Sequence, residues 1–543
     1  MSEKEKYVMK KIISILLCII MLVSLLPTTS FAVSGKTYYV DSISGDDSSS
    51  GTSAGGAWRT TNNLASLQLE PGDKVLFRRG GVYECTLTLT CSGTKENPII
   101  ISAYGEGERP LLRTSQRNAV FKLFDCDYVT VSDFEITAHN GGGIWVDAVN
   151  KDSCGVTIKN VILHDMQNFK VRTRDNFSEG PISGRAAIVI RRYGNALYSV
   201  DDFTAVDCEI YDCGNGIFFT GDSAHPNKNS LVENVYIHDL DGEAVVIESC
   251  DGAVVTNCKA INCCQGEGVD ENGKVLYYIA AMWFHYSTNC TIQNTEIAGQ
   301  KCIGDGMTVD FDHWSFGCTY QYIYSHDNTR FMVNNSKDDN PNRDNTVRYC
   351  LSVNDGSSER WSTLSASAGE FGFKFYNNTL VNSGGINFDD TYDSVIANNI
   401  FVLKDDNRIS YDYNQIKDSG TVFSNNCYYN SMTPLVDIKS YNVLPGFSGD
   451  DLYDPSSYTL SAESPLIGAG LEIAKESDVD FFGNGITSNN IGCYGGNGTD
   501  TEYQQESLSD KLHRSLTDIF NYVVSMIKSE IKRYIKKLMD KML

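Results

Sequence analysis

Apolar and polar residues alternate in short runs through the middle of the chain, and the runs repeat. The segments VTVSDFEI (from Val129), VTIKNVIL (from Val156), FTAVDCEI (from Phe203), SLVENVYI (from Ser230), AVVTNCKA (from Ala253) and CTIQNTEI (from Cys290) align. So do CTYQYIYS (from Cys318), NTVRYCLS (from Asn345), FKFYNNTL (from Phe373), SVIANNIF (from Ser394) and TVFSNNCY (from Thr421). The third residue of each is apolar, and the steps from Val131 to Phe423 are 27, 47, 27, 23, 37, 28, 27, 28, 21 and 27. Two residues later, seven of the eleven segments carry Asn: Asn160, Asn234, Asn257, Asn294, Asn377, Asn398 and Asn425. Period-two alternation predicts strands, and a 20–30-residue period predicts a solenoid of stacked coils. A leucine-rich repeat is excluded, because no Leu motif and no helix recur. In parallel coils each repeat position stacks on its neighbour about 4.8 Å away. Side-chain amides in such a column can bond along the stack, which accounts for Asn at one turn. The next position holds Cys208, Cys258 and Cys350, as expected of small buried thiols.

A second strand aligns in the same coils: GIWVD (143–147), AIVIR (187–191), GIFFT (216–220), AVVIE (244–248), AMWFH (281–285), GMTVD (306–310), RFMVN (330–334) and GINFD (385–389). All but one open on a small residue, and all end polar. The resulting column is Asp147, Arg191, Thr220, Glu248, His285, Asp310, Asn334 and Asp389, with Trp145, Phe218 and Trp283 two residues earlier on the same face. A plain solvated strand needs Thr, Ser, Lys and Asn. Carboxylates, an imidazole and Arg beside Trp point instead to a cleft that handles sugars.

The chain resembles the right-handed parallel β-helix superfamily, the pectin-lyase-like fold, over residues 36–495. The opening motifs TYYVDSISGDDSSSGTSAGGAWRT, PGDKVLFRRGGVYECTL and NPIIISAYGEGERPLL carry the resemblance, as do SPLIGAG, DVDFFGNG and NNIGCYGG at the far end. It implies an all-β solenoid, with an N-terminal capping module over 33–119, coils with the cleft over 120–430 and the end of the β-helix over 431–495. A short helix is expected near residues 60–69. The superfamily hosts lyases, hydrolases, epimerases and adhesins, so it specifies architecture rather than reaction.

Composition narrows the partners. Apolar residues make up 41% and charged residues 21%, which excludes a disordered chain and a multi-span membrane protein. The formal charge of -24 opposes nucleic-acid binding, which rests on neutralising phosphates. Residues 1–32 read as a secretory signal, with Lys10 and Lys11 before an apolar run and Ser30-Phe31-Ala32 at the cleavage point; secretion is the expected localisation. Residues 496–510 read as a linker. Residues 511–543 carry eight basic and three acidic side chains on an amphipathic helical pattern. That helix is expected to pack on the body or in an oligomer, with an anionic envelope surface as the alternative. The sixteen cysteines beyond the signal follow no disulfide framework and are expected mostly as core thiols. No cysteine pattern of a zinc site is present.

The densest chemistry is at the centre of the polar column. Glu248, His285 and Asp310 are expected on consecutive coils, with Asp312 two residues along the last strand. These are the candidate catalytic groups: crowded carboxylates separate into proton donor and base, and His285 orients one of them. Trp283, Trp145, Arg191, Arg192, Asn334 and Asp389 are the candidate substrate-binding residues. The His326-Asp327 pair recurs as His164-Asp165 and His238-Asp239, and is expected to be a turn device. The insertions KVRTRDNFSEGPISGR (170–185) and CCQGEGVDENGK (263–274) are expected to wall the cleft.

The leading reading is a polysaccharide-degrading glycoside hydrolase without a cofactor. A uronate lyase holding Ca²⁺ through Asp310 and Asp312, and a non-catalytic carbohydrate-binding or adhesin-like protein, remain as alternatives. Removing residues 497–543 should leave melting temperature and specific activity nearly unchanged while altering attachment or oligomeric state. A truncated protein that aggregates would show the segment covering an exposed core edge.

Overall fold

The computed structural model describes residues 35–499, apart from 140, 167–185, 191–196, 266–278, 303–305, 337–340, 358–361, 368–369, 390, 405–408, 432 and 474–477. The signal segment, the linker from 500 onward, the basic segment 511–543, Arg191, Arg192, the basic insertion and most of the second insertion lie outside the described residues. Within them the chain winds as a parallel β-helix. Every pairing between its named strands is parallel, in one sheet of twenty-five strands, another of twelve and three two-stranded sheets.

One coil shows the plan. Val129–Ser132 and Glu135–Ala138 are two legs separated by a single bent step at Asp133, and Ile144–Asp147 is the third leg. The first two legs run in the large sheet and the third in the twelve-stranded sheet. The expected capping module contributes to these same sheets. Thr37–Val40, Lys74–Arg78 and Ile99–Tyr104 pair in sequence and lead straight to Val129–Ser132. The helix expected near residues 60–69 is a short 3₁₀ turn, Asn62–Ser66.

The bend explains the Asn column. All eleven aligned positions, from Asp133 to Asn425, have φ between 49° and 66°, the left-handed region in which Asn and Asp are several-fold enriched. Some also bond along the stack: Asn160 Nδ2 donates to Asp133 Oδ1 (2.7 Å), and Asn234 Nδ2 to Asp207 Oδ1 (2.7 Å). The fully buried ladder lies one residue later. Asn378 Nδ2 donates to Asn399 Oδ1 (3.1 Å), and Asn399 Nδ2 to Asn426 Oδ1 (2.9 Å). Earlier coils fill that position with Val161, Cys208, Val235 and Cys258. The thiols of Cys208, Cys258 and Cys350 point back at the carbonyl two residues before, at 3.3, 3.2 and 3.4 Å. All sixteen cysteines of the described residues are free, and most are buried.

Besides the Asn ladder, the core holds a polar plug. Asp355 accepts from Ser325 Oγ (2.5 Å), Ser352 Oγ (2.6 Å) and the Asn328 N–H (2.9 Å), and Asn328 Nδ2 reaches Thr308 Oγ1 (2.8 Å). Burial pushes the Asp355 carboxyl up to about 6 despite those bonds. Beyond the last coils the chain doubles back as a strap. Phe447, Leu452 and Tyr458 pack on Leu351 and Val353, and the Cys493 N–H donates to Thr379 Oγ1 (3.0 Å).

The His-Asp pairs sit at the other bend of the coil, with Asp165, Asp239 and Asp327 all at positive φ. Each imidazole bridges its Asp and a Glu from the preceding coils: Glu135 for His164, Glu209 for His238 and Glu296 for His326. Only His326 is covered by the strap, where Tyr453 OH donates to Asp327 Oδ1 (3.2 Å) and Tyr324 OH to the Tyr453 carbonyl (3.1 Å). Burial alone would lower the His326 pKa. Hydrogen bonds to Asp327 and Glu296 outweigh it and raise it to about 9. The bond to His326, against burial and with help from Lys259, holds Glu296 at about 2.

Two predictions follow from these contacts. Asn399→Ala strands the Asn378 N–H in the core and removes the side-chain bonds to Asn378 Nδ2, the Phe375 carbonyl and Asn426 Oδ1, and should lower unfolding stability by about 3 kcal/mol or more. Asn257→Ala loses only a left-handed preference and should lower it by about 1 kcal/mol; equal losses in urea titrations would contradict the ladder. A raised imidazole pKa stabilises below the unfolded value of 6.5 and is lost as pH climbs through about 9. Hydrogen exchange over residues 447–460, corrected for intrinsic rates, should therefore accelerate between pH 6.5 and 9.5. Lys301 and Lys404, whose pKa values burial lowers, lie close and act with the opposite sign. His326→Gln isolates the imidazole and should flatten the rise. No acceleration in the parent protein would remove His326 as the clasp of the strap.

Candidate functional site

The outer face of the twelve-stranded sheet changes character along the stack. Strand register places Trp145, Val189, Phe218, Val246, Trp283, Asp310 and Val333 in one outward column. Trp145, Val189, Phe218 and Val246 form a buried apolar cluster with Trp283 packed against its edge. From Trp283 onward the face becomes polar. Trp145, expected to line the cleft, is therefore only 4% exposed and does not reach it.

The neighbouring outward column holds the candidate chemistry. Glu248 pairs directly with His285. Trp283 pairs with Asp310 and Phe284 with Phe311, so the residue opposite His285 is Asp312. The expected register put Asp310 there. The actual strand is offset by two residues, because pairing begins at Ala280 with Met307 rather than at Gly306. An offset of two keeps both carboxylates on the outer face. Asp312 takes the place in line with Glu248 and His285, and Asp310 sits beside Trp283, 8% exposed.

The next strand is offset by one more residue, and one residue reverses the face. Phe311 pairs with Asn334, so Asn334 points into the core. It is 1% exposed, and its Oδ1 accepts from Asn342 Nδ2 at 2.8 Å. Asn334 is thus an interior residue, contrary to the sequence expectation. Continuing the register through Asn335 and Ser367 brings Asp389 back to the column of Asp312, three coils away. Arg330 is buried with Nε donating to the Ser362 carbonyl (2.8 Å). Arg191 and Arg192 lie outside the described residues.

Around the carboxylates the contacts are close. His285 Nδ1 lies 3.7 Å from Glu248 Oε1, and His313 Nδ1 lies 3.4 Å from Asp312 Oδ1. The Asp312 carboxylate also accepts the His313 backbone N–H (2.9 Å), so this turn is capped as well as charged. The His285 ring is 5.9 Å from Trp283, 4.4 Å from Tyr286 and 6.4 Å from His313. The Trp283 indole N–H is buried with no acceptor among the described residues. Two coils separate Glu248 from Asp312, roughly 10 Å at the backbone, and Asp310 and Asp312 are roughly 7 Å apart along their strand. Among the described residues no group of three or more His, Cys, Asp or Glu side chains is arranged to hold a metal ion.

The sequence reading passed over His313, Tyr286 and Trp314. Their signal is HYS at 285–287 against DHWS at 312–315. Ser287 and Ser315 are both fully buried, so one extra residue is inserted before the second Ser, beside the site.

A family model described as a right handed beta helix region matches residues 113–297. The fold is the right-handed parallel β-helix. The chain is 24% identical over 512 aligned residues to a lacto-N-biosidase of Bifidobacterium longum subsp. longum, covering 74% of this chain and 31% of that protein. It thus spans about a third of that relative's length. The crystal structure of a GH136 lacto-N-biosidase from Eubacterium ramulus superposes with a TM-score of 0.51 at 20% identity, over 75% of this chain and 68% of that one. A pectate lyase structure superposes with a TM-score of 0.44 at 15% identity, over 85% of this chain and 96% of that one.

Proposed function

We propose that this β-helix is a secreted glycoside hydrolase, in which Glu248 and Asp312 are the acid–base pair and His285 lies between them. The observation that carries this reading is the outward column Glu248–His285–Asp312 on three consecutive coils, with Asp310 and Trp283 in the adjoining column. Similarity to a lacto-N-biosidase supports glycoside cleavage and favours an oligosaccharide substrate. Hydrolysis needs one carboxyl to protonate the leaving oxygen and a second to activate water. A backbone separation of roughly 10 Å is nearer the carboxyl spacing of inverting than of retaining enzymes. His285 faces the Glu248 carboxylate, its Nδ1 3.7 Å from Oε1, and meets a substrate hydroxyl. Trp283 bounds the site on the side of Val246. A lyase would need a basic side chain at this face to abstract a proton; Arg330 is buried, and Arg191 and Arg192 lie outside the described residues.

Asp312→Asn and Glu248→Gln should each lower kcat by at least about 10²-fold, as expected for loss of one acid–base group, with melting temperature nearly unchanged. The assay is release of new reducing ends from lacto-N-biose-terminated oligosaccharides and a polysaccharide panel. Reducing ends accompanied by unsaturated-uronate absorbance would move the assignment to elimination. Near-normal turnover in either variant would remove that carboxylate from the mechanism.

A further inference from the structure

Non-glycine residues at positive φ are common in this chain, and their identities follow a rule. Among the described residues there are thirty, of which twenty-three are Asn or Asp. Those side chains tolerate the left-handed region, whereas a bulky residue there is a genuine outlier that functional sites tend to retain. The exceptions include five aromatics: Tyr128, Tyr286, Trp314, Tyr322 and Tyr349. Three of them serve packing. Tyr322 and Tyr349 are buried with Tyr376, against Ile473, Val479 and Ile486 of the C-terminal strap. Tyr128 lies over Gly155, whose position a Cβ could not share with its ring. Tyr286 and Trp314 also make ring contacts, with His285 and Phe316, but stand beside the proposed site. Tyr286 is 37% exposed and Trp314 half-buried. They stand one residue after His285 and two after Asp312, at the rim of the proposed site.

We infer that Tyr286 and Trp314 form a stacking subsite for a neutral pyranose ring, the inference resting on the proposed site beside them. The two rings are nearly parallel, 16° apart, with centroids separated by 6.4 Å. The rings stack on one another, and the open part of the pair is the surface proposed for one sugar. The apolar C–H face of a pyranose packs on such a surface, and its hydroxyls then point toward Glu248, His285 and Asp312. Trp283 bounds the opposite side, so the carboxylate column runs between two aromatic edges. Charge decides the class of sugar. Glu248, Asp310 and Asp312 line this stretch, and the chain as a whole carries -24. A uronate would bring its own carboxylate into that field, and a neutral hexose or hexosamine would not.

The two aromatics are also in the conformation that Asn adopts throughout the fold, which makes a clean test. In an Asp312→Asn background, Tyr286→Asn and Trp314→Asn should keep or raise the melting temperature, since Asn suits positive φ better. Affinity for the neutral disaccharide lacto-N-biose, read by isothermal titration, should fall about three- to tenfold in each single variant and further in the double. Tyr286→Phe should restore it. Digalacturonate should bind more weakly than lacto-N-biose in every protein. Variants that bind lacto-N-biose as the parent does, a parent that binds digalacturonate at least as tightly, or a parent that binds neither at millimolar concentration would overturn the subsite. Retained turnover in Asp312→Asn would instead sink the catalytic assignment alone, because these titrations read binding.

Discussion

Everything in this molecule depends on one constraint: each coil must return to the same bend at the same height above the last. The bend after the first leg is made by a single residue in the left-handed region, repeated at eleven positions from Asp133 to Asn425. A residue there that could not take positive φ would throw the following leg out of line. Because the coils are parallel, a misplacement of one position would carry every later side chain to the opposite surface. The buried amides of Asn378, Asn399 and Asn426 reinforce the bend from inside, and in the earlier coils Val and Cys occupy the same place.

The same constraint explains what could be read from the chain and what could not. The recurring apolar residue and the Asn column were legible, because a bend repeated eleven times leaves a chemical trace at each turn. The outer face of Glu248, His285 and Asp312 was legible for the same reason. Its register was not. The strand containing Asp310 was aligned on the small residue Gly306, yet its pairing begins at Met307. An offset of two was harmless to the face, and the further offset of one placed Asn334 inside. Nothing local in RFMVN announces that shift. It is fixed by interior partners, including Asn342, that come from later in the chain. Trp145 was misread for a related reason: alternation shows that a residue points outward, not whether other outward residues bury it.

The site occupies the boundary between an apolar and a polar stretch of one sheet face. Val246 closes the apolar side and Asp310 opens the polar one, with Trp283 between. A substrate with an apolar ring face and hydroxyl edges matches such a boundary better than either half alone. The aromatic rim at Tyr286 and Trp314 extends the match into a turn where the rest of the fold prefers Asn, at a local conformational cost.

The strap carries a consequence for how the protein is made. Its contacts reach far back along the chain: Tyr453 meets Asp327 across 126 residues, and Cys493 meets Thr379 across 114. At a translation rate of about 5–20 residues per second, the outer surfaces of Tyr324, Leu351 and Val353 wait on the order of 5–25 s for their cover. During that interval a nascent solenoid presents an apolar flank and an open strand edge to its surroundings. The aggregation risk of this fold is therefore concentrated late in synthesis, and a ribosome that stalls between residues 400 and 450 would release it uncovered.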